Sequence, residues 1–413
     1  MHTLTRPRPS APEPDGPAAP EGASGLGTSP SVSPSLAGQA VSRTRLKQLD
    51  VLRAVAVLLV LCAHAPSFEW LQRCGWIGVD LFFVLSGFLV SGLLYNEYKK
   101  HGSLSPKRFL LRRGLKIYPA FYAFVLGSVV LMVLARMEIP ADRLLAEVLF
   151  VQNYYAGLWG HTWSLCIEEH FYLLLTAALY LLWRRAKQGS TPFDAIPKIT
   201  LFIAIAVLAA RVVTHLFVVP FDFQTHFKPT HLRIDSLLFG VCLAYFHHFH
   251  HEKFSRLVRR YALPILIFSL AALAPSVVFP VDTAFMSTVG FTLLYLGFGG
   301  VLLLALYFDS QWASPVRRIF RPVLNLLAWV GAYSYSIYLW HLVVASFGLS
   351  LVRRAYAFAA TTLLPQGEGQ QPPHRLIEFA IYVVSSVALG IIMAKLVEMP
   401  VLKLRDHYFP ARI

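Results

Sequence analysis

Charged residues are scarce in this sequence. Asp, Glu, Lys and Arg together make up only 14% of the 413 residues, while 56% are hydrophobic, and a soluble domain carries about 25% charged residues. Apolar runs of about 18 residues or more recur along the chain, each long enough to cross about 30 Å of hydrocarbon. These runs do not alternate polar and apolar residues as membrane β-strands do. The sequence therefore predicts an all-α fold, a polytopic membrane helix bundle.

Cysteine is also scarce, and its positions do not indicate a metal site. The four cysteines show no paired spacing of the kind that binds zinc. The tract HHFHH at 247–251 is rich in histidine, but no acid or cysteine completes a ligand set at the usual spacing. A metal site needs convergent geometry that a local tract does not establish. We therefore expect no metal cofactor.

The excess of positive charge does not indicate a nucleic-acid partner. The formal net charge is +15, but the basic residues lie between the apolar runs and form no continuous surface. Basic residues are enriched in the cytoplasmic loops of membrane proteins. Placing both termini in the cytoplasm puts the basic connections on one side. We expect a multi-pass protein of the cytoplasmic (inner) membrane, with the lipid bilayer as a partner.

The sequence divides into three parts. Residues 1–42 are rich in Pro, Ser, Ala and Gly, which predicts a disordered cytoplasmic tail. Residues 43–405 carry the transmembrane domain, and residues 406–413 are predicted to form a cytoplasmic C-terminal tail. About ten transmembrane helices are predicted, near 49–66, 76–96, 115–135, 163–183, 199–219, 231–249, 261–280, 284–307, 325–349 and 375–399.

The first apolar run, LDVLRAVAVLLVLCAHA at 49–65, contains three ionisable residues. Arg53 and His64 are eleven positions apart, which leaves them about 20° apart around a helix and about 16 Å apart along its axis. Asp50 falls on the same stripe. Ionisable residues inside a membrane span are functional by default, and the alternative is a structural Arg–Asp pair with a hydrogen-bonded histidine. A neutral His64 in the outer half can take a proton from a hydroxyl as a general base.

The second and fourth spans place acids at the depth of His64. In GVDLFFVLSGFL, Asp80 follows His64 by one short loop, and a carboxylate there can orient the imidazole as in a catalytic triad. In HTWSLCIEEHFYLL, Glu168 and Glu169 point about 100° apart. We therefore expect one of them, preferably Glu168, to be functional. The small residues of LSGFLVSG are interpreted as helix-packing positions.

The sixth and ninth spans add polar groups at a similar depth. Arg233 and Asp235 lie in THLRIDSLLFG, where a structural ion pair between them is an equal alternative. The segment YSYSIYLWH brings His341 to mid-depth. We interpret the common depth of these polar residues as the lining of one shared cavity. We predict that Glu169, Arg233, Asp235 and His341 contact the substrate in that cavity.

A basic segment, KRFLLRRGLKIYP, joins the second and third spans. Arg112 and Lys116 share one helical face at i,i+4 spacing, and Arg113 lies beside them. Such a cluster can bind phosphate groups. Contact with anionic lipid is equally compatible with the composition.

These segments together resemble acyltransferase family 3, a family of integral-membrane O-acyltransferases. The matching pieces are Arg53-x10-His64, GVDLFFVLSGFL, FLLRRGLKIYP, WSLCIEEHFYL, RIDSLLFG and YSYSIYLWH, which occur in the family's order and cover roughly 47–405. The resemblance implies ten helices and transfer of an acyl group, often acetyl, from acyl-CoA to a hydroxyl. It implies acceptors such as sugars of surface polysaccharides, peptidoglycan or secondary metabolites. It also implies that Arg53 and His64 are essential and that the basic pair of the second-to-third loop meets the CoA phosphates.

This sequence departs from the family pattern at three positions. Lys116 stands where the family usually has the second arginine of Arg-x-x-Arg, and lysine keeps the charge but loses the bidentate fork. Cys166 stands where Ser is common, and His170 where Gln is common.

The first functional hypothesis is an O-acyltransferase with His64 as general base. Asp80 and Glu168 assist His64, and Arg53, Arg112, Arg113 and Lys116 bind acyl-CoA, in particular acetyl-CoA. The acceptor is a carbohydrate or a secondary metabolite. A transporter of polysaccharide units or metabolites is the alternative, although the sequence shows no internal repeat of the kind that many transporters contain. A catalytically silent scaffold is the third possibility, and release of free CoA thiol distinguishes the three.

Overall fold

The structure is a computed structural model that describes residues 47–65, 68–186, 191–307, 314–355 and 375–411, without side chains at 314–319. The predicted tail at 1–42 lies outside these residues. The described part of the chain consists of helices and their connections and contains no strand. The all-helical prediction is confirmed.

The helices are numbered in chain order. The first seven are α1 (Lys47–Ala63), α2 (Glu69–Gly75), α3 (Gly78–His101), α4 (Pro106–Leu134), α5 (Ala141–Val148), α6 (Trp163–Arg185) and α7 (Ile196–Phe217). The others are α8 (Ile234–Phe249), α9 (His251–Arg260), α10 (Ala262–Leu273), α11 (Pro275–Val278), α12 (Phe291–Tyr307), α13 (Ser314–Ala332), α14 (Ser334–Val343), α15 (Arg375–Met393) and α16 (Met399–Tyr408). Short π-helical turns continue the helix at Met286–Gly290, Val344–Gly348 and Ala394–Glu398.

Seven helical segments of the described chain are long and apolar enough to cross a membrane, and the number rises to eight if the bent pair of α9 with α10–α11 counts as one span. Each of the ten predicted spans contains helix. Two of these helices are short, because α1 has 17 residues and α8 has 16. The chain is a multi-pass membrane protein, while the count of ten and the side of each terminus stay predictions.

Two predicted boundaries differ from the structure. The predicted span at 325–349 is interrupted at Tyr333, where the backbone leaves helical geometry (φ −105°, ψ 7°) between α13 and α14. The predicted tail at 406–413 begins inside α16, which continues to Tyr408. The polar residues after position 405 suggested that the helix ends there, but the last turns of α16 are both polar and helical.

Glycines set the positions of the helices that carry the polar residues. A Cβ atom on Gly87 of α3 would collide with the carbonyl oxygen of Leu237 in α8, and a Cβ atom on Gly240 would collide with that of Val84. Gly331 of α13 lies equally close to the carbonyl oxygen of Asp50 in α1. Small residues allow such backbone contact between membrane helices. The close contact fixes α1 and α3, and with them His64 and Asp80, relative to the rest of the bundle.

A turn and a proline connect α3 to α4. Gly102 adopts the left-handed conformation at φ 65° and donates its N–H to the carbonyl of Tyr98 at 2.7 Å, which ends α3. Pro106 then begins α4, where its missing N–H is not needed. The start of α4, with its basic residues, therefore lies at the end of the bundle where α3 finishes.

Replacing Gly87 with valine tests the glycine contact between α3 and α8. We expect Gly87→Val to lower the thermal midpoint of the purified protein in detergent, because the added side chain separates two backbones in contact, and overpacking costs about 1–3 kcal/mol. The measurement is tryptophan fluorescence on heating. Gly160→Ala is the control, since a Cβ atom there would meet no described atom within 4 Å. Equal midpoints for both variants would contradict the account.

Candidate functional site

His64 lies directly after the last residue of α1, and its ring nitrogens have distinct surroundings. Its Nδ1 lies 2.9 Å from the carbonyl oxygen of Val60. A carbonyl oxygen can only accept, so Nδ1 carries the hydrogen. A neutral imidazole has one N–H, and the lone pair therefore resides on Nε2. Among the described residues, no hydrogen-bond partner occupies this basic nitrogen of the half-buried ring.

His341 of α14 contacts His64. Its Nε2 lies 3.4 Å from Nδ1 of His64, and the ring centroids are 4.9 Å apart in an edge-to-face arrangement. Nδ1 of His341 donates to the carbonyl of Tyr338 at 2.5 Å, which leaves Nε2 as an acceptor. The structure thus brings together two residues that the sequence analysis had placed at a similar depth.

His161, in the connection between α5 and α6, packs on the other side of His341. Their ring centroids are also 4.9 Å apart. Nε2 of His161 donates to the carbonyl of Leu339 at 3.1 Å. Burial, and secondarily the neighbouring His64, lowers the pKa of His161 to about 3, so this ring is neutral at any ordinary pH. We call His64, His161 and His341 the histidine cluster.

Tyr338 ties the histidine cluster to α6. Its hydroxyl donates to the carbonyl of His161 at 2.6 Å and lies 2.7 Å from the hydroxyl of Ser164. All three residues are buried. These contacts join α14 to the start of α6 and hold the connection before α6 against the cluster.

Asp80 forms an ion pair with Arg233. Its Oδ1 lies 2.6 Å from Nη2 of Arg233, and both side chains are completely buried. A buried guanidinium needs a carboxylate, and this requirement accounts for the position of Asp80. Among the described residues, the side chain that contacts the His64 ring is His341, and no hydrogen bond joins Asp80 to His64. That Asp80 orients His64 stays a prediction.

The sequence left open an ion pair between Arg233 and Asp235. In the structure each residue has another partner, because Arg233 pairs with Asp80 and Asp235 pairs with Arg211. Asp235 accepts from Arg211 of α7 at 2.6 Å, again with both side chains buried. The guanidinium of Arg233 also lies over the ring of Phe291 at 4.0 Å and that of Phe227 at 4.7 Å. Ion pairs and aromatic rings therefore occupy Arg233 and Asp235. Their predicted role as substrate ligands finds no support in these contacts.

Glu168 belongs to a network around Tyr172 of α6. The Tyr172 hydroxyl donates to Glu168 at 2.7 Å, lies 2.6 Å from the hydroxyl of Ser86, and accepts from Arg113. The guanidinium of Arg113 also stacks on the Tyr172 ring, 4.2 Å from its centroid. The structure thus links two residues, Glu168 and Arg113, to which the sequence analysis gave separate roles.

Glu169 lies beside this network. Its Oε2 accepts from the Tyr118 hydroxyl at 2.9 Å, while Oε1 is buried and has no hydrogen-bond partner among the described residues. Both Glu168 and Glu169 interact electrostatically with Arg113. Because Glu168 and Glu169 both interact with Arg113, the structure does not distinguish them. That only one of the two acids is functional stays a prediction from the sequence.

Lys116 lies in a cluster of positive charge. It interacts electrostatically with Arg53, Arg113, Arg405 and the single acid Glu398. The electrostatic interaction of Lys116 with Arg53 couples α4 to the second turn of α1. We call Arg53, Arg113, Lys116 and Arg405 the cationic cluster. Acids stand beside three of these cations: Glu398 beside Lys116, Glu168 and Glu169 beside Arg113, and Asp406 in an ion pair with Arg405. Arginine and lysine side chains gathered in this way can bind phosphate groups.

Arg112 binds the C-terminal segment, where it shares the carboxylate of Asp406 with Arg405 of the cationic cluster. Its Nη2 lies 2.7 Å from Asp406 Oδ1, and its Nη1 donates to the carbonyl of Phe409. Arg108 donates to the carbonyl of Pro410 at 3.1 Å. In this structure, therefore, Arg112 binds the chain itself, while Arg113 and Lys116 face the interior.

In the described part of the chain, no group of three or more His, Cys, Asp or Glu residues could hold a metal ion.

Sequence reasoning did not single out Arg211 or His161. Arg211 interrupts the apolar stretch VLAARVVTHLF. Because a charged side chain inside a membrane span is costly unless it is paired or functional, this position could have been identified from the sequence. His161 lies outside every predicted span, in the polar connection GHTWS, and no local signal indicates that it reaches His341.

This fold, with a histidine cluster and a cationic cluster inside a membrane bundle, agrees with a family match. The family model described as an acyltransferase domain matches residues 46–395. The chain belongs to acyltransferase family 3, the family that the sequence motifs resemble.

Individual relatives are similar over the same region. The chain is 32% identical over 324 residues to the peptidoglycan O-acetyltransferase OatA of Listeria monocytogenes, which covers 73% of this chain and 49% of that protein. It is 29% identical to a Staphylococcus aureus protein provisionally named an O-acetyltransferase, covering 72% of this chain and 50% of that one. It is 28% identical to YrhL of Bacillus subtilis, provisionally named a peptidoglycan O-acetyltransferase, covering 71% and 47%. The chain spans about half the length of these relatives. No solved structure matches it.

The paired charges predict a structural role for Asp80. Asp80→Ala leaves Arg233 buried without its carboxylate, and breaking such a pair costs about 3–5 kcal/mol. We expect a large fall in the yield and thermal midpoint of the purified protein. Asp406→Ala removes a largely exposed carboxylate and should change the midpoint little. If Asp80→Ala instead keeps the wild-type midpoint and loses only activity, Asp80 acts in catalysis.

Proposed function

We propose that this protein is a membrane O-acyltransferase that moves an acyl group, acetyl in the first instance, from acyl-CoA to a hydroxyl of a saccharide. Membership of acyltransferase family 3 supports the reaction class. Two similar proteins bear names that refer to O-acetylation of peptidoglycan, which favours a peptidoglycan sugar as the acceptor. The membrane in which we place the protein is the cytoplasmic one.

His64 is the general base of this proposal. The single observation that supports it most is the hydrogen bond from Nδ1 to Val60, since it reserves Nε2 for a proton. In the reaction, Nε2 takes the proton of the acceptor hydroxyl while the oxygen attacks the thioester carbonyl. A carbon–oxygen bond forms and the carbon–sulfur bond breaks. The thiolate of CoA then takes the proton from His64, so that the base is regenerated.

The cationic cluster is the docking site for the donor in this proposal. CoA carries phosphate groups, and phosphate is recognised by lysine and arginine at short range. Arg53, Arg113 and Lys116 face the interior with Glu398 as the acid beside Lys116. Arg53 lies in the second turn of α1 and His64 directly after its last residue, about 16 Å apart along the helix axis. In this proposal the long, narrow arm of acyl-CoA reaches from the cationic cluster to the histidine cluster. The Tyr172 network links Arg113 of the cationic cluster to Glu168 of α6.

The direct test of the function is release of free CoA thiol. Purified protein is mixed with acetyl-CoA and peptidoglycan fragments, and a thiol reagent measures CoA while mass spectrometry measures acetylated sugar. We expect both products in equal amounts. Flux of saccharide across proteoliposomes without thiol release would favour the transporter alternative and contradict the proposal.

His64→Ala should remove the general base. We expect kcat to fall by about 10²–10⁴-fold, the range typical of general acid–base catalysis, at an unchanged thermal midpoint. His247→Ala is a matched control, because His247 is also half-buried and hydrogen-bonded, at 2.6 Å to Tyr307, outside both clusters. A folded His64→Ala protein with the wild-type rate would disprove the assignment.

Lys116→Ala should weaken donor binding. Because the cationic cluster acts on the phosphates and not on the reacting carbonyl, we expect KM for acetyl-CoA to rise about tenfold, the effect of losing about 1.4 kcal/mol, with kcat nearly unchanged. Lys99→Ala is the control, since Lys99 is exposed and donates to the carbonyl of His248. An unchanged KM for Lys116→Ala would exclude this residue from the donor site.

A further inference from the structure

We propose that His341 is a positioning residue that holds His64 in its reactive tautomer and orientation, in the place where many hydrolases use a carboxylate. This inference rests on the proposed function, because it concerns the same general base. It replaces the role in substrate contact that the sequence analysis gave to His341.

The hydrogen-bond pattern fixes the direction of each donor. The carbonyl of Tyr338 accepts from Nδ1 of His341 at 2.5 Å, so Nε2 of His341 has a lone pair and no hydrogen. That lone pair lies 3.4 Å from Nδ1 of His64, whose hydrogen is shared with the carbonyl of Val60. The opposite tautomer of His64 would leave its bare Nδ1 facing two acceptors. Both neighbours therefore favour the form with a free Nε2.

The same two acceptors stabilise His64 after it takes a proton. The imidazolium has hydrogen on both nitrogens, and the Nδ1 hydrogen still points at the Val60 carbonyl and at Nε2 of His341. Hydrogen bonds to a charged donor are roughly twice as strong as neutral ones. The contact with His341 is thus stronger in the protonated intermediate than in the resting enzyme, as catalysis requires.

The surroundings keep His341 from rotating. It is completely buried, and both of its ring nitrogens have partners. The neutral ring of His161 packs against it edge-on, with planes 81° apart. His161 is itself fixed by Leu339 and Tyr338. A rigid partner loses little conformational entropy when it orients the base, so the free-energy cost of holding His64 in one orientation is small.

A neutral imidazole suits this place better than a carboxylate. An ionised acid inside a hydrocarbon-surrounded bundle is costly unless it is paired, and Asp80 is already paired with Arg233. His341 supplies an acceptor without a permanent charge.

Two variants of His341 separate positioning from packing. His341→Phe keeps a ring of similar shape and removes the acceptor, whereas His341→Gln keeps a polar atom near the position of Nε2. Loss of a partner that orients a functional histidine typically costs 10–100-fold. We expect His341→Phe to lower kcat about 10–100-fold, with KM for acetyl-CoA and for the acceptor within about twofold of wild type. His341→Gln should recover several-fold over His341→Phe.

Controls distinguish failure of this inference from failure of the proposed function. His247→Phe removes a hydrogen-bonded histidine elsewhere in the bundle and should keep the wild-type kcat. If His64→Ala is inactive and folded His341→Phe keeps the wild-type kcat, positioning by His341 is disproved while the general base stands. Equal loss in the Phe and Gln variants at unchanged thermal midpoints would also disprove it, because the acceptor atom would then be irrelevant. If His64→Ala is fully active, the general-base assignment fails, and positioning by His341 fails with it. The proposed function itself fails only if the wild-type protein releases no CoA thiol and forms no acetylated sugar.

A spectroscopic measurement decides the case even if the variants do not fold. Nitrogen-15 shifts of labelled histidines in the wild-type protein distinguish a ring nitrogen that bears hydrogen from one that does not. We expect His64 to carry hydrogen on Nδ1 and His341 to carry hydrogen on Nδ1, with Nε2 bare in both. Hydrogen on Nε2 of neutral His64 would overturn the inference.

Discussion

The hydrogen bond between Nδ1 of His64 and the carbonyl of Val60 determines how the rest of the site can act. At the end of α1 the backbone N–H of His64 donates to the carbonyl of Leu61 at 3.2 Å, while the carbonyl of Val60 accepts from the ring. This bond assigns the hydrogen to Nδ1 and the lone pair to Nε2. The contact with His341 favours the same tautomer. His64 therefore offers Nε2 as its basic nitrogen.

Charge inside the bundle is divided between stability and binding. Asp80 with Arg233 and Asp235 with Arg211 are buried pairs that hold α3, α7 and α8 together, and each pair is electrically neutral. The cationic cluster near Lys116 brings four basic side chains together, with Glu398, Glu168, Glu169 and Asp406 beside them. Paired charges suit a bundle inside lipid, and the basic side chains are the groups that the proposal uses to bind an anionic donor.

Much of this arrangement could be predicted from the sequence, and the remainder depended on tertiary pairing. The spacing of Arg53 and His64 on one helix, the common depth of His341, and the packing role of Gly87 followed from helical geometry. The partner of Asp80 could not be predicted, because Arg233 and His64 stand at similar depths and sequence spacing cannot decide between them. The role of His161 depended on a connection whose path is set by Tyr338 and Ser164, far away in the chain.

A structure with bound substrates tests the central claim most directly. The protein would be imaged by electron cryomicroscopy with a non-reactive acetyl-CoA analogue and a peptidoglycan fragment. The account predicts the acceptor hydroxyl within about 2.6–3.2 Å of Nε2 of His64, and the CoA phosphates against Lys116 and Arg113. An acceptor bound against another base, or a His64 ring whose Nδ1 faces the acceptor, would contradict it.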